Sequence, residues 1–226
     1  MKIPVIINNC NLLTWPRAMV EQIRRYRSVG EIIIIDNGST YPPLLEWYET
    51  EPCTIIRTAN VGHKAPWITG VVKELAKDHE WYVVTDPDLD LTGTPDDTLE
   101  YLQEKIVEIQ LQKLGLLLDL EAVKPEMIYH KYLQWYERGR RFSSPTINDI
   151  MTRVTVDTTL AIYPAACQGY FVGGGSTMAP YQSKHMPWLY TAETIKEDPE
   201  YQYYLDHASP SASIKNLLKD ERWVEL

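Results

Sequence analysis

Three aspartates stand at every second position where the hydrophobic run that starts at Trp81 ends: Asp86, Asp88 and Asp90, with Pro87 between the first two. Side chains of an extended chain alternate in direction, so these three carboxylates converge on one side at a strand's end. Gathered acids repel one another unless a cation lies among them. Hard oxygen ligands suit magnesium, manganese or calcium, and magnesium is commonly held by one or two carboxylates together with a substrate's phosphates. The spacing points to a metal-diphosphate site. The plainer alternative is a solvated turn, for which Asp and Pro are common residues.

The acids need a strand behind them, and the first half of the chain supplies a series. Ile3 to Asn8 reads as a strand, and Thr14 and Pro16 open a helix carrying Met19, Val20 and Ile23. Glu31 to Asp36 is a near-continuous isoleucine run, the pattern of a strand buried on both faces. A short helix over 42–48, a strand over 54–57, a helix from Ala65 to Lys77 and the strand Trp81 to Thr85 follow. Thr94, Pro95, Asp96 and Asp97 form a helix start, with a capping hydroxyl and acids at the positive end of the dipole. That helix is expected to reach about Gln110, ahead of a buried strand from Leu114 to Leu120. The alternation predicts an α/β/α sandwich around a largely parallel sheet. Further on, 125–139 reads as a helix, 154–163 as a strand, and Gly173 to Ser176 as a loop, either a mobile lid or a connector.

Ligands of open α/β sheets bind at the carboxyl ends of the strands. Asn8 and Asn9 end the first strand, Asp36 the second, and Asp86 and Asp88 the fourth, so three strand ends present polar groups to one edge.

Composition sets the bounds. The 226 residues are enough for one substantial domain, and 44% hydrophobic with 23% charged residues is ordinary for a globular protein. With 22 basic and 31 acidic residues the net charge is −9, and basic runs are confined to Arg24–Arg25 and Arg138–Arg141. Duplex nucleic acid is not an expected partner. Cys10, Cys53 and Cys167 form no CxxC pair, so neither a zinc site nor a disulfide framework follows. Without a signal peptide or an apolar stretch of membrane-spanning length, the expected location is cytoplasmic.

Four ordered segments carry a resemblance: 3–11, ending in two asparagines, a cysteine and an asparagine; 31–40, from the isoleucine run through Asp36, Asn37 and Gly38; 57–63, through Asn60 and Gly62; and 83–88, ending in Asp86, Pro87 and Asp88. Together they resemble the nucleotide-binding half of GT-A fold glycosyltransferases, family-2-like enzymes above all. The resemblance is strong over 1–91 and weaker beyond, where 156–163 and 184–188 are similar to segments of small bacterial members. It implies a single GT-A domain over 1–226, with 1–91 binding the nucleotide-sugar donor and 92–226 completing the site on the acceptor side. It implies an enzyme that uses Mn2+ or Mg2+ to move a sugar from a nucleotide donor, a UDP-sugar in the first instance, to a glycan or other hydroxyl acceptor with inversion.

By position, the resemblance assigns Asp86 and Asp88 to the metal, and His185 as a third ligand from the C-terminal region. Asn9, Asp36, Gly62, Lys64, Asp86, Lys184 and Trp188 are the expected donor-binding residues. Asp36 would accept hydrogen bonds from the base or ribose; Gly62 would permit close backbone approach, and Lys64 at a helix start would favour an anion. Asp157 is the expected base, with Asp119 and Glu121 as rivals. Val156 departs from the acidic pair common at this stage of the fold, which keeps a non-catalytic nucleotide-sugar or carbohydrate-binding protein open. A sugar nucleotidyltransferase is a further alternative, although the glycine-rich phosphate loop it needs is replaced by 8–11.

Overall fold

The computed structural model describes residues 2–135, 144–156, 159–170 and 173–208. In the first half, strands β1 (Ile3–Asn9), β2 (Val29–Asn37), β3 (Thr54–Thr58) and β4 (Trp81–Thr85) alternate with helices α1 (Thr14–Ile23), α2 (Pro42–Tyr48), α3 (Ala65–Ile68) and α4 (Val71–Leu75). The four strands are parallel, in the order β3-β2-β1-β4. Every residue of β1 except Asn8 is buried. Its odd positions Ile3, Val5 and Ile7 pack with Ile32, Ile34 and Val83 on one face, where α1 and α2 lie; Ile6 packs with Ile33, Ile35 and Tyr82 on the other, against Ala65 of α3 and Val71 and Val72 of α4. Each fully buried isoleucine contributes about 1.5–3 kcal/mol, so this double-sided burial fixes the strand's register.

The chain runs from β1 outward to β2 and β3 before returning to β4 on the opposite side of β1. The gap between β1 and β4 is therefore a topological switch point, where open α/β sheets bind ligands. After β4 come β5 (Leu89–Asp90), α5 (Thr98–Ile109), β6 (Leu114–Gly115), β7 (Leu117–Leu118), β8 (Thr146–Ile147), β9 (Ile150–Thr155), β10 (Ala161–Pro164), β11 (Gly173–Ser176), β12 (Gln182–His185), α6 (Ala192–Glu197) and α7 (Pro199–His207). The main sheet continues past β4 as β10-β6-β11-β9-β8, with β10 antiparallel to both β4 and β6. It is thus parallel over β1 to β4 and mixed beyond them. A second, small sheet has the order β5-β12-β7.

Several elements differ from their expected form. The 173–176 segment is a strand, parallel to β6 and antiparallel to β9, and not a loop. Its glycines admit close neighbours: a Cβ on Gly174 would lie 2.6 Å from the carbonyl oxygen of Lys113. The helix expected over 65–77 is broken at Gly70, whose φ of 80° ends α3 and starts α4. The 114–120 stretch is split because β6 belongs to the main sheet and β7 to the small one, with Leu116 N–H donating to Leu160 between them. The 154–163 stretch likewise divides into the end of β9 and the separate β10. Thr94 does not cap α5; its hydroxyl donates to the Leu91 carbonyl and meets the Tyr26 hydroxyl, each at 2.7 Å, and the helix begins a turn later. Of the helix expected over 125–139, residues 130–135 are helical and 136–139 lie outside the described residues.

Candidate functional site

Strand register sets the first side of the site. Asn9 and Asp36 are paired neighbours at the carboxyl ends of β1 and β2, and Ile7 pairs with Thr85, the residue before Asp86. Asp36 is buried, and its Oδ1 accepts the Ser39 N–H at 3.0 Å, which closes the turn after β2. Asn9 is fully buried; its Nδ2 donates to the Leu12 carbonyl at 2.7 Å and to the Tyr48 hydroxyl at 2.8 Å. Asn11 holds the same turn from the β1 side, its Oδ1 accepting from Thr40 and Tyr41.

The loop carrying Gly62 is clamped to the strand ends. Asn37 donates to the Gly62 carbonyl at 2.9 Å and accepts the Val61 N–H at 2.8 Å, and Asn8 reaches the same carbonyl at 3.4 Å. Gly62 has φ +77° and space around its Cα, and its N–H donates to Asn60 Oδ1 at 3.1 Å. Gly38, also at φ +77°, lies so close to the loop that a Cβ there would be 2.8 Å from the Asn60 nitrogen. Lys64 extends over the Tyr170 ring, with its ammonium 5.8 Å from the centroid.

On the other side of the switch point, Asp86, Asp88 and His185 place one ligand atom each within 4.8 Å of one another. The arrangement has a backbone cause. β5 begins one residue after Asp88 and pairs antiparallel with β12, so that His185 faces Leu89 and Lys184 faces Asp90. The Met186 N–H then donates to the Asp88 carbonyl at 2.9 Å, extending the ladder past His185. His185 Nε2 ends 3.5 Å from Asp88 Oδ1. Trp188 is buried and packs its ring against His185, with the centroids 4.8 Å apart.

Asp88 Oδ1 is shielded from solvent and accepts no hydrogen bond. Burial pushes its carboxyl up from the usual range, because removing hydration penalises the charged form. A buried carboxylate oxygen left without a donor is costly unless a cation or proton occupies it. Two carboxylates and an imidazole form a donor set that suits Mn2+ or Mg2+. The spacing of the three ligand atoms is compatible with their meeting a single ion after small adjustments. These residues fit a divalent cation.

Asp90 is not in this group. Its Oδ1 accepts from Gln22 at 3.1 Å and from the Thr92 N–H at 2.9 Å, and Lys184 lies 3.3 Å from its Oδ2. Lys184 and His185 are successive strand residues and point to opposite sides. Asp119 Oδ1 accepts the N–H groups of Glu121 and Ala122 and so caps a turn after β7. Asp157 lies outside the described residues.

Two further residues interact electrostatically with Asp36, Asp86 or Asp88 and carried no motif. Cys10 follows Asn9 at the end of β1; burial, with the nearby charge of Asp36, pushes its thiol up to about 11. For Tyr204 of α7, burial, then the charges of Asp88, Cys10 and Asp86, raise the phenol above its ordinary value. The position of Cys10 after a polar strand end was a usable signal; Tyr204, 118 residues from Asp86 in the numbering, had none.

No protein family and no curated protein matches this sequence. Among solved structures, a mannosyltransferase from Pyrobaculum calidifontis in complex with GDP-Man and Mn2+ is similar with a TM-score of 0.54 and 13% identity, over 82% of this chain and 56% of that one. TarS of S. aureus in complex with UDP is similar with a TM-score of 0.47 and 17% identity, over 74% of this chain and 47% of its own. The chain spans little more than half the length of the mannosyltransferase. Among the described residues, no helix is long and apolar enough to cross a membrane.

Proposed function

We propose that this GT-A-fold chain is a metal-dependent glycosyltransferase that moves a sugar from a nucleotide donor, a UDP-sugar in the first instance, to the hydroxyl of a glycan or other acceptor. The observation that carries this reading is the cluster of Asp86, Asp88 and His185 at the switch point, across from the strand end that bears Asp36. A solvated acidic turn would leave its carboxylates to water or to N–H donors, whereas Asp88 Oδ1 has neither. The similarity to the mannosyltransferase supports the reading at the level of the fold.

Asp86, Asp88 and His185 hold the cation, Mn2+ or Mg2+. Bound there, it supplies charge that neutralises the departing nucleoside diphosphate. Asp36 retains acceptor capacity beyond its bond to Ser39, which suits the N–H of a base or the hydroxyls of a ribose. Asn9 acts from beneath by holding Leu12 and Tyr48 in place. Gly62 and Lys64 bring backbone and ammonium toward the phosphates, Lys184 steadies β5 through Asp90, and Trp188 fixes the His185 ring. Residues 1–91 form the donor half and 92–226 complete the site. The cytoplasm is the location this reading assigns.

Asp157 takes the proton of the acceptor hydroxyl as that oxygen bonds to the anomeric carbon. The bond from that carbon to the diphosphate breaks, its electron pair leaves with the nucleotide, and a single displacement inverts the centre. A positioned base contributes about 10²–10⁴ in rate. Asp157→Asn should therefore lose about that factor in turnover while binding donor normally; unchanged turnover removes it as the base. The purified protein, given Mn2+ and a panel of nucleotide sugars, is expected to bind and slowly hydrolyse at least one. No binding and no hydrolysis across the panel ends the assignment.

A further inference from the structure

The last two residues of β2 serve different parts of the site. Asp36 holds the turn that follows through its bond to Ser39, whereas Asn37 reaches across to the loop after β3. Backbone pairing between β2 and β3 ends at Asn37 and Thr58. Beyond that point the Asn37 carboxamide continues the pairing as a peptide group would, accepting the Val61 N–H at 2.8 Å and donating to the Gly62 carbonyl at 2.9 Å. An amide offers an acceptor and a donor side by side for this, where a carboxylate offers acceptors alone. Asn37 is buried, so the pairing is largely shielded from competing water.

Three elements meet at the Gly62 carbonyl. Besides Asn37 from β2, it receives Asn8 from β1 at 3.4 Å and the N–H of Ala65, the first residue of α3. The bond from Ala65 closes the single turn that contains His63 and Lys64. Lys64 therefore sits between two anchored backbone positions. Its ammonium lies over the Tyr170 ring and has no carboxylate partner among the described residues. A cation on a fixed backbone without a counter-ion suits an anionic ligand.

We infer that Asn37 is a positioning residue for the nucleotide's phosphates: its carboxamide pins the Gly62–Lys64 turn to the end of β2 and thereby sets where the Lys64 ammonium meets the diphosphate. This rests on the glycosyltransferase reading, which brings a diphosphate to Lys64. The consequence is that adjacent residues of one strand govern the two ends of the donor nucleotide. Asp36 touches the nucleoside, and Asn37 acts through Lys64 on the phosphates.

The test is a double-mutant cycle of Asn37→Ala and Lys64→Ala, read as UDP affinity by calorimetry in the presence of Mn2+. Each single variant is expected to weaken UDP binding about tenfold, the scale of a hydrogen bond to a charged group, with Mn2+ affinity unchanged. The double variant is expected to lose about tenfold as well and not about a hundredfold, because residues that act through one contact do not add. A merely structural asparagine would lower affinity equally in both backgrounds, and such additive losses overturn the inference. Unchanged UDP affinity in either single variant, or a loss of Mn2+ affinity in Asn37→Ala, also overturns it and leaves the transferase reading standing. If Asn37→Ala does not fold, Asn60→Ala takes its place in the cycle: Asn60 is exposed, and its Oδ1 accepts the Gly62 N–H at 3.1 Å in the same loop. Coupled losses there support the inference and additive losses overturn it. Wild-type protein that binds neither UDP nor GDP overturns the transferase reading and this inference with it.

Discussion

Asp88 and His185, 97 positions apart in the numbering, meet with Oδ1 and Nε2 separated by 3.5 Å, because the antiparallel pairing of β5 with β12 carries the histidine to the residue just before β5. The pairing brings together a turn aspartate and a histidine that no local motif connects.

Metal binding should depend on both partners. Free Mn2+ measured by electron paramagnetic resonance is expected to show an affinity about 10–100-fold lower in Asp88→Asn and in His185→Ala. In metal-free protein, Asp88→Asn should melt at or above the wild-type temperature, because it removes a buried charge and little else. In wild type, Mn2+ at 100 times its dissociation constant should add about 2.7 kcal/mol of stability, and that gain should be absent from Asp88→Asn at the same concentration.

Asp36 is placed to be tested apart from the metal. Its Oδ1 serves the Ser39 N–H, and an asparagine oxygen can replace it there. Asp36→Asn should keep its fold and its Mn2+ affinity while binding UDP about tenfold or more weakly, since a charged acceptor becomes a neutral amide. Unaltered UDP affinity would take Asp36 out of the nucleotide site.

Gly38 and Gly62 share φ +77° but differ in surroundings. Alanine at 62 meets open space and should cost about 1–2 kcal/mol, the left-handed penalty alone. Alanine at 38 adds a contact of 2.8 Å with the Asn60 nitrogen, so it should cost more than Gly62→Ala and shift the loop. Urea denaturation of the two variants checks the order.

The Cys10 thiol, raised to about 11 by burial and by the charge of Asp36, should be a poor nucleophile at neutral pH. Its thiolate fraction rises about tenfold per pH unit below that value. Iodoacetamide labelling, followed by peptide mass spectrometry, should therefore be far slower at Cys10 in native than in unfolded protein at pH 8, and should accelerate toward pH 11. Native and unfolded rates that coincide at pH 8 would contradict the burial.

Glu200 caps α1 from the far end of the chain. Glu200→Ala leaves the N–H groups of Leu13 and Thr14 without this acceptor and should cost about 1–2 kcal/mol in chemical denaturation, the value of a lost cap.

What the sequence determined by itself was the parallel first half of the sheet and the order of its polar strand ends. Isoleucine runs such as Glu31 to Asp36, buried on alternating faces, and turn residues such as Asn37 and Gly38 act over a few residues, so their physics is local and periodic. The glycine run at 173–176 misled the same reasoning. Its glycines are there for close strand neighbours that lie outside the window, and a loop is the usual local meaning of such a run. Only the tertiary structure decided that Asp90 bonds Gln22, Thr92 and Lys184 instead of joining Asp86, Asp88 and His185. It likewise decided that His185 stands beside Asp88 and that Glu200 caps α1. Each of these depends on which distant strand or helix pairs with which, and that choice is made by burial of whole faces, which no short spacing records.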